Sequence, residues 1–257
     1  RPMSTLSEEL VRISEQGAAA VLATVVEAEG NERIQPGAKC LVRDGSVVGE
    51  TIGDARAVEA ILQESAAHLG AEKSKLAAVA IPGAKLEVFF EVMPAPPKLI
   101  VVGAGHIAVP LVRMAKVLDF YVVVTDDRLL YANRERFPDA DEVLVGDMAQ
   151  MLKEMAITPS CYIVLITRGH AYDEHCLRVV LPSQAKYIGM IGSRRRIKAC
   201  FQRFRDEEKI SEELIEKVYA PIGLDIGTET PAEIALAILG EVIKVRRGGT
   251  AASLSRH

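Results

Sequence analysis

The sequence predicts an α/β chain: a doubly wound parallel sheet over residues 98–257, preceded by a smaller mixed α/β domain over residues 1–93. Three observations predict it. Leu99-Ile100-Val101-Val102 runs straight into Gly103-Ala104-Gly105-His106-Ile107-Ala108. Apolar β-rich runs then alternate with helical stretches, as in a parallel sheet covered on both faces. Between the halves, Pro94, Pro96 and Pro97 fall within four residues, which neither a helix nor a central strand tolerates. Residues 94–97 therefore read as a short, stiff linker.

In the first half, residues 5–16 suit a helix. Ala19 to Val26 is apolar and β-branched, as in a buried strand. Lys39 to Arg43 and Ser46 to Gly49 form a hairpin pattern with Asp44-Gly45 as its turn. Ala55 to Leu69 reads as a helix with Val58, Ile61, Leu62 and Leu69 on one face, and Lys85 to Val92 as a further strand. In the second half, strands are expected at 98–102, 120–125, 142–145, 161–167 and 186–191.

The 257 residues are 49% hydrophobic and 26% charged, the balance of a globular protein. A formal net charge of −4 and a pI near 5.8 argue against general nucleic-acid binding. No apolar run is long enough to span a membrane, and no basic region leads into an apolar stretch near the start, so neither a span nor a secretory signal is expected. The chain opens on Arg1-Pro2, as a sequence lacking its initial segment would. Cys40, Cys161, Cys176 and Cys200 form no CxxC pair, which signals neither zinc site nor disulfide framework and suits a cytoplasmic setting.

The glycine loop is the first candidate site. Gly103 permits the turn off the strand, Gly105 lets a pyrophosphate approach the backbone, and Ala108 lets the following helix sit close to the sheet. The free N–H groups at that helix start, around His106 and Ile107, favour a phosphate. His106 reads equally as a helix cap or as a phosphate or metal contact. The helix is expected to bury Ile107, Leu111, Met114 and Leu118. The next strand ends in Asp126-Asp127, placed to accept a ribose hydroxyl, and an acidic tip favours NAD over its phosphorylated form. This is a Rossmann-like pattern, for which NAD or a related nucleotide is the expected ligand.

Two further loops belong to the same sheet edge. Thr167-Arg168-Gly169-His170, with Asp173 and His175, reads either as a weak metal pattern or as a solvated loop; no metal is assigned. Gly192, Ser193 and Arg194 combine a turn, an N-cap and a cation at a helix start, a second candidate anion site. Near the C-terminus, Thr230-Pro231-Ala232-Glu233 is a capping box opening a helix with Ile234, Ile238 and Val242 buried, while Asp225 and Glu229 lie in the loop before it. No Ser–His–Asp or Cys–His nucleophile set stands out, so catalytic residues stay unassigned.

In order, GAGHIA, YIGMIGSRRR and APIGLDIGTETPAEIALAIL resemble the xanthine dehydrogenase accessory factors, the XdhC/CoxI family, over about the whole chain. The resemblance implies a cofactor chaperone that binds molybdenum cofactor and helps deliver its sulfurated form. Its implied partners are an apo molybdenum hydroxylase and a cofactor sulfurase. Two N-terminal motifs depart from the family pattern. The Pro-Arg pair falls at Arg33-Ile34 and is lost, and the triple-glycine turn, sometimes followed by cysteine, reads Ile52-Gly53-Asp54-Ala55. The chain thus resembles a divergent member with its Rossmann half intact. Two other functions fit the glycine loop: an NAD-dependent oxidoreductase with His106 or His170 as proton donor, and a non-catalytic nucleotide sensor. A homodimer is expected only because twofold dimers are the commonest oligomers.

Overall fold

A computed structural model describes residues 5–16, 18–49 and 52–255. The chain divides into two compact units, Arg1–Pro96 and Pro97–His257.

The first unit contains α1 (Leu6–Gln16), β1 (Ala20–Glu29), β2 (Lys39–Arg43), β3 (Ser46–Val47), α2 (Ala55–Ala71), β4 (Lys75–Ile81) and β5 (Ala84–Met93). Its strands form one antiparallel sheet in the order β3-β2-β1-β5-β4. On one face Ala57 and Ile61 of α2 join Val21, Ala23, Val25, Leu86, Val88 and Phe90 in a core. On the other, Ile13 of α1 packs with Ala20, Leu22 and Leu41. Strand β4 has no counterpart in the sequence reading. Its Lys-Leu-Ala-Ala-Val-Ala-Ile run is alanine-rich, and only Val79 and Ile81 are buried along this edge strand.

The second unit contains β6 (Lys98–Val102), α3 (Ala108–Val117), β7 (Tyr121–Asp126), β8 (Glu142–Val145), α4 (Met148–Glu154), β9 (Cys161–Leu165) and α5 (His170–Val180). It continues through β10 (Tyr187–Met190), α6 (Arg194–Asp206), α7 (Glu212–Glu216), β11 (Val218–Tyr219) and α8 (Pro231–Arg247). Its six strands are parallel in the order β11-β10-β9-β6-β7-β8. Strand order reverses between β6 and β9, so the crevice beyond their carboxyl ends is the topological switch point of a doubly wound sheet. The central strands β6, β7, β9 and β10 are buried on both faces. Leu99, Val101, Val122, Val124, Tyr162 and Val164 pack under α3 and α8, and Ile100, Val102, Ile163, Leu165 and Ile188 under α4, α5 and α6.

Local choices differ from the sequence reading in detail. The buried stripe of α3 is Ala108, Leu111, Val112 and Ala115, rotated from the expected one, and Leu118 is 38% exposed. Alanines at 108 and 115 bring the helix close to the sheet and to α8, so small residues define the packed face. The strand expected through Thr167 ends at Leu165, because Ile166 and Thr167 turn over the glycine loop. β11, two residues long, is too short to show a period. Helix α8 starts as expected: Thr230 accepts from the Glu233 amide, Glu233 accepts from the Thr230 amide at 2.9 Å, and Pro231 takes the first position.

The loop before α8 is anchored by a buried carboxylate. Glu241 accepts from the Tyr187 hydroxyl at 2.7 Å and from the Gly223 amide at 3.0 Å. Gly189 leaves room for Ile222, whose Cδ1 would lie 2.5 Å from a Cβ there. Among the described residues no helix is long and apolar enough to cross a membrane. Glu241→Leu leaves the Tyr187 hydroxyl and the Gly223 amide without their acceptor, so it should lower unfolding free energy by about 3 kcal/mol; denaturant melts of the two chains measure this.

Candidate functional site at the carboxyl edge of the parallel sheet

Gly103 leaves β6 with φ +108, and a Cβ there would sit 2.4 Å from the Ile166 carbonyl oxygen. The backbone of the glycine loop therefore lies directly on the backbone leaving β9. Only glycine meets both demands, a left-handed φ and no Cβ. Gly105 differs: a Cβ there would meet nothing within 4 Å. Its missing side chain is not needed for packing and leaves the backbone before α3 open.

Helix α3 begins without a side-chain cap, since Ile107 occupies the N-cap position with helical φ and ψ. His106 is exposed and supplies no capping bond, which removes the reading of it as a cap. The open side of Gly105 and the uncapped start of a ten-residue helix together form a cradle of the kind that accepts a phosphate. Ala108 is fully buried, as close approach of α3 requires.

The acidic tip has a different role from the one expected. Asp126 is buried, and its oxygens accept four hydrogen bonds. Oδ1 takes the Arg128 amide at 3.0 Å and Arg128 Nε at 2.8 Å; Oδ2 takes the Ala104 amide at 2.8 Å and Arg128 Nη2 at 2.9 Å. A carboxylate has about four acceptor positions. Asp126 therefore has none left for a ribose hydroxyl; it ties the glycine loop to the chain leaving β7. Burial alone would raise its pKa, but the Arg128 side chain and the two amides outweigh that and bring it down to about 2.

Asp127 accepts Arg168 Nη1 at 2.6 Å and Nη2 at 2.8 Å, so the loops after β7 and β9 are bridged across the end of β6. Arg168 also donates to the Tyr172 hydroxyl and lies over its ring. Arg128 lies 3.7 Å from the centroid of Tyr131. Arg136 donates to the Ala104 carbonyl at 2.8 Å and holds the loop from its other side. Sequence reasoning assigns none of these roles to the three arginines. Arg128 directly follows the acidic pair, which is a usable signal; Arg168 is 41 residues from Asp127 and carries none.

Beyond β9 and β10 lies a cavity of about 180 Å³, lined among others by Thr167, His170, Asp173, Gly192, Arg196 and Cys200. Of the residues singled out in the sequence, Thr167 and Gly192 line it. Ser193 caps α6 through the Arg196 amide at 3.4 Å. Arg194 is exposed and does not line the cavity; Arg196, two residues further round the helix, does. Asp173 is buried, accepts from the Thr167 amide at 3.0 Å, and is pushed up in pKa by burial against that bond. His175 is exposed and lies outside the cavity. Among the described residues no group of three His, Cys, Asp or Glu side chains could hold a metal ion. Asp225 and Glu229 are exposed.

The comparisons with known proteins agree with this architecture. A family described as the XdhC Rossmann domain matches residues 99–242, and one described as the XdhC and CoxI family matches residues 13–79. The chain belongs to the XdhC and CoxI family. It is 29% identical over 251 residues to the uncharacterized protein YqeB of Escherichia coli, covering 93% of this chain and 46% of that one. It is 33% identical over 151 residues to a probable xanthine dehydrogenase subunit of Bacillus subtilis, covering 59% of this chain and 43% of that one. The chain thus spans less than half the length of these two relatives. A solved structure of a xanthine dehydrogenase from Bacillus halodurans shares the fold, with a TM-score of 0.55, 20% identity and 98% of each chain covered. In this family member the glycine loop, Asp126, Asp127 and the arginine side chains around them form one hydrogen-bonded frame.

That frame can be tested at its glycines and at its carboxylate. Gly103→Ala drives a Cβ into a carbonyl at a left-handed φ and should cost about 3 kcal/mol or more, whereas Gly105→Ala should stay within about 1 kcal/mol of the parent; paired thermal melts decide it. Asp126 has a folded pKa below its unfolded value, so its stabilisation is full above the unfolded pKa of about 4 and is lost as pH falls through the folded value. On the order of 2 kcal/mol should disappear across that acid window. Asp126→Asn should lower stability at neutral pH and flatten that part of the pH profile.

Proposed function

We propose that this chain is an accessory factor in the maturation of a molybdenum hydroxylase of the xanthine dehydrogenase kind, and that its second unit binds an adenine nucleotide such as NAD. Family membership supports the first part. The observation that carries the second is the cradle at Gly105, where an uncapped helix start lies beside backbone that no neighbour covers within 4 Å. Residues for the phosphates are Gly105, His106 and Ile107. An apo molybdenum hydroxylase and a cofactor sulfurase are the partner classes that this reading supplies, in the cytoplasm.

The first unit is a poorer fit to molybdenum cofactor. Where the family resemblance places a glycine turn open to an anion, the Asp54 carboxylate caps α2, taking the Arg56 amide at 2.9 Å and the Ala57 amide at 3.3 Å. Asn31 Nδ2 donates to Asp54 at 2.9 Å and Arg56 Nη2 at 3.2 Å. That helix start already holds its anion, and Arg56 is committed to it. The thiols offer no replacement: all four cysteines are buried, and burial pushes Cys40 up to about 11 and Cys176 and Cys200 up to about 12. A thiol so protonated is a poor ligand for a soft metal. The reading is therefore of a divergent factor whose nucleotide half is retained and whose cofactor-handling half is altered.

A second reading, an oxidoreductase acting on a small molecule, draws on the cavity beside His170 at the strand ends. Titration calorimetry with NAD, NADP, ATP and CTP should show binding of at least one nucleotide that Gly105→Val abolishes without changing the melting profile. Activation of an apo molybdenum hydroxylase by the chain should accompany it; turnover of reduced nucleotide would favour the oxidoreductase instead. Binding unaffected by Gly105→Val contradicts the site.

A further inference from the structure

We infer that the edge formed by Arg128 and Arg168 reads a phosphate on the ribose, so that the nucleotide carries a 2′-phosphate. The inference rests on the proposed nucleotide site and sharpens it. A ribose diol is recognised by acceptors, and a phosphate monoester by donors. At this edge the acceptors are partly consumed. Asp126 has all four of its positions filled, and Arg168 takes two of the four on Asp127, one on each oxygen.

Donors remain. A guanidinium carries five N–H groups. Among the described residues, Arg128 spends two on Asp126, and its Nη1 makes no hydrogen bond. Arg168 spends three on Asp127 and Tyr172, and its Nε makes none. Both side chains keep about a third of their surface open, 29% for Arg128 and 35% for Arg168.

The two guanidinium groups are also held in place. Arg128 is paired with Asp126 and lies 3.7 Å from Asp127, Arg168 is paired with Asp127, and each is laid on a tyrosine ring, Tyr131 for Arg128 and Tyr172 for Arg168. They stand on the loops after β7 and β9, the strands on either side of β6 and its glycine loop. A nucleotide with its pyrophosphate at Gly105 would place its adenosine ribose toward the end of β7, where such loops hold it. The carboxylates neutralise the arginines at rest without using up their donors. The preference for NAD expected from the acidic tip is thereby reversed.

The test is calorimetric titration of the full chain with NAD, NADP, 2′,5′-ADP and ATP, repeated on Arg168→Ala and Asp127→Asn, with melting profiles confirming that both fold. NADP should bind about tenfold or more tighter than NAD, with 2′,5′-ADP also binding. Arg168→Ala should remove most of that difference, weakening NADP about tenfold more than it weakens NAD, while Asp127→Asn should preserve the preference for NADP. NAD binding as tightly as NADP overturns the inference, as does loss of NAD affinity in Asp127→Asn, which would make that carboxylate a ribose acceptor. ATP binding with no response to 2′,5′-ADP also overturns it, since the phosphate read would then belong to a polyphosphate chain. Silence from all four nucleotides would instead remove the nucleotide site itself, and the inference with it.

Discussion

The Asp126 carboxylate organises the carboxyl edge of the parallel sheet. It joins the amide of Ala104 in the glycine loop to the backbone and side chain of Arg128. A buried charge is tolerated only when it is paired and hydrogen-bonded, and this one is saturated. Through it the loop after β6 and the loop after β7 are parts of one frame. Arg168 brings in the loop after β9, and Arg136 closes the frame from the Ala104 carbonyl. Gly105 is left as an open side among groups that are otherwise held. On the proposed reading such a site would be preorganised, so little ordering cost would fall on binding.

Both units place an aspartate against a helix or loop start, with opposite consequences. Asp54 is itself the anion at the start of α2, so that position is filled by the chain. Asp126 instead bonds the loop one residue before Gly105 and leaves the start of α3 uncapped. The first arrangement stabilises a helix; the second keeps a cradle open. This contrast underlies the reading of a factor with one retained half and one altered half.

Much of this is legible in the sequence. The alternation of strands and helices, the glycine loop, the linker prolines and the α8 capping box are local patterns, and local patterns survive in one dimension. Motif position suggests a ribose-binding role for Asp126, but position alone does not show that Ala104 and Arg128 already use its acceptors. The pairing of Asp127 with Arg168 depends on β7 and β9 flanking β6, which only the folded sheet establishes. Arg196 rather than Arg194 lines the cavity because a helix turns by about 100° per residue, and its exact start decides which side chain faces inward. The β4 strand escapes a sequence reading because alanines on an exposed edge carry little hydrophobic period.

The central claim is that the cradle beside the Asp126 frame is the working site. Amide NMR spectra of the full chain during titration with an adenine dinucleotide test it most directly. The account predicts that the amides of Gly105, His106 and Ile107 shift with occupancy, while that of Ala104, already bonded to Asp126, moves least among the four. Shifts confined to the first unit, or a large shift at Ala104 with none at Gly105, would contradict it.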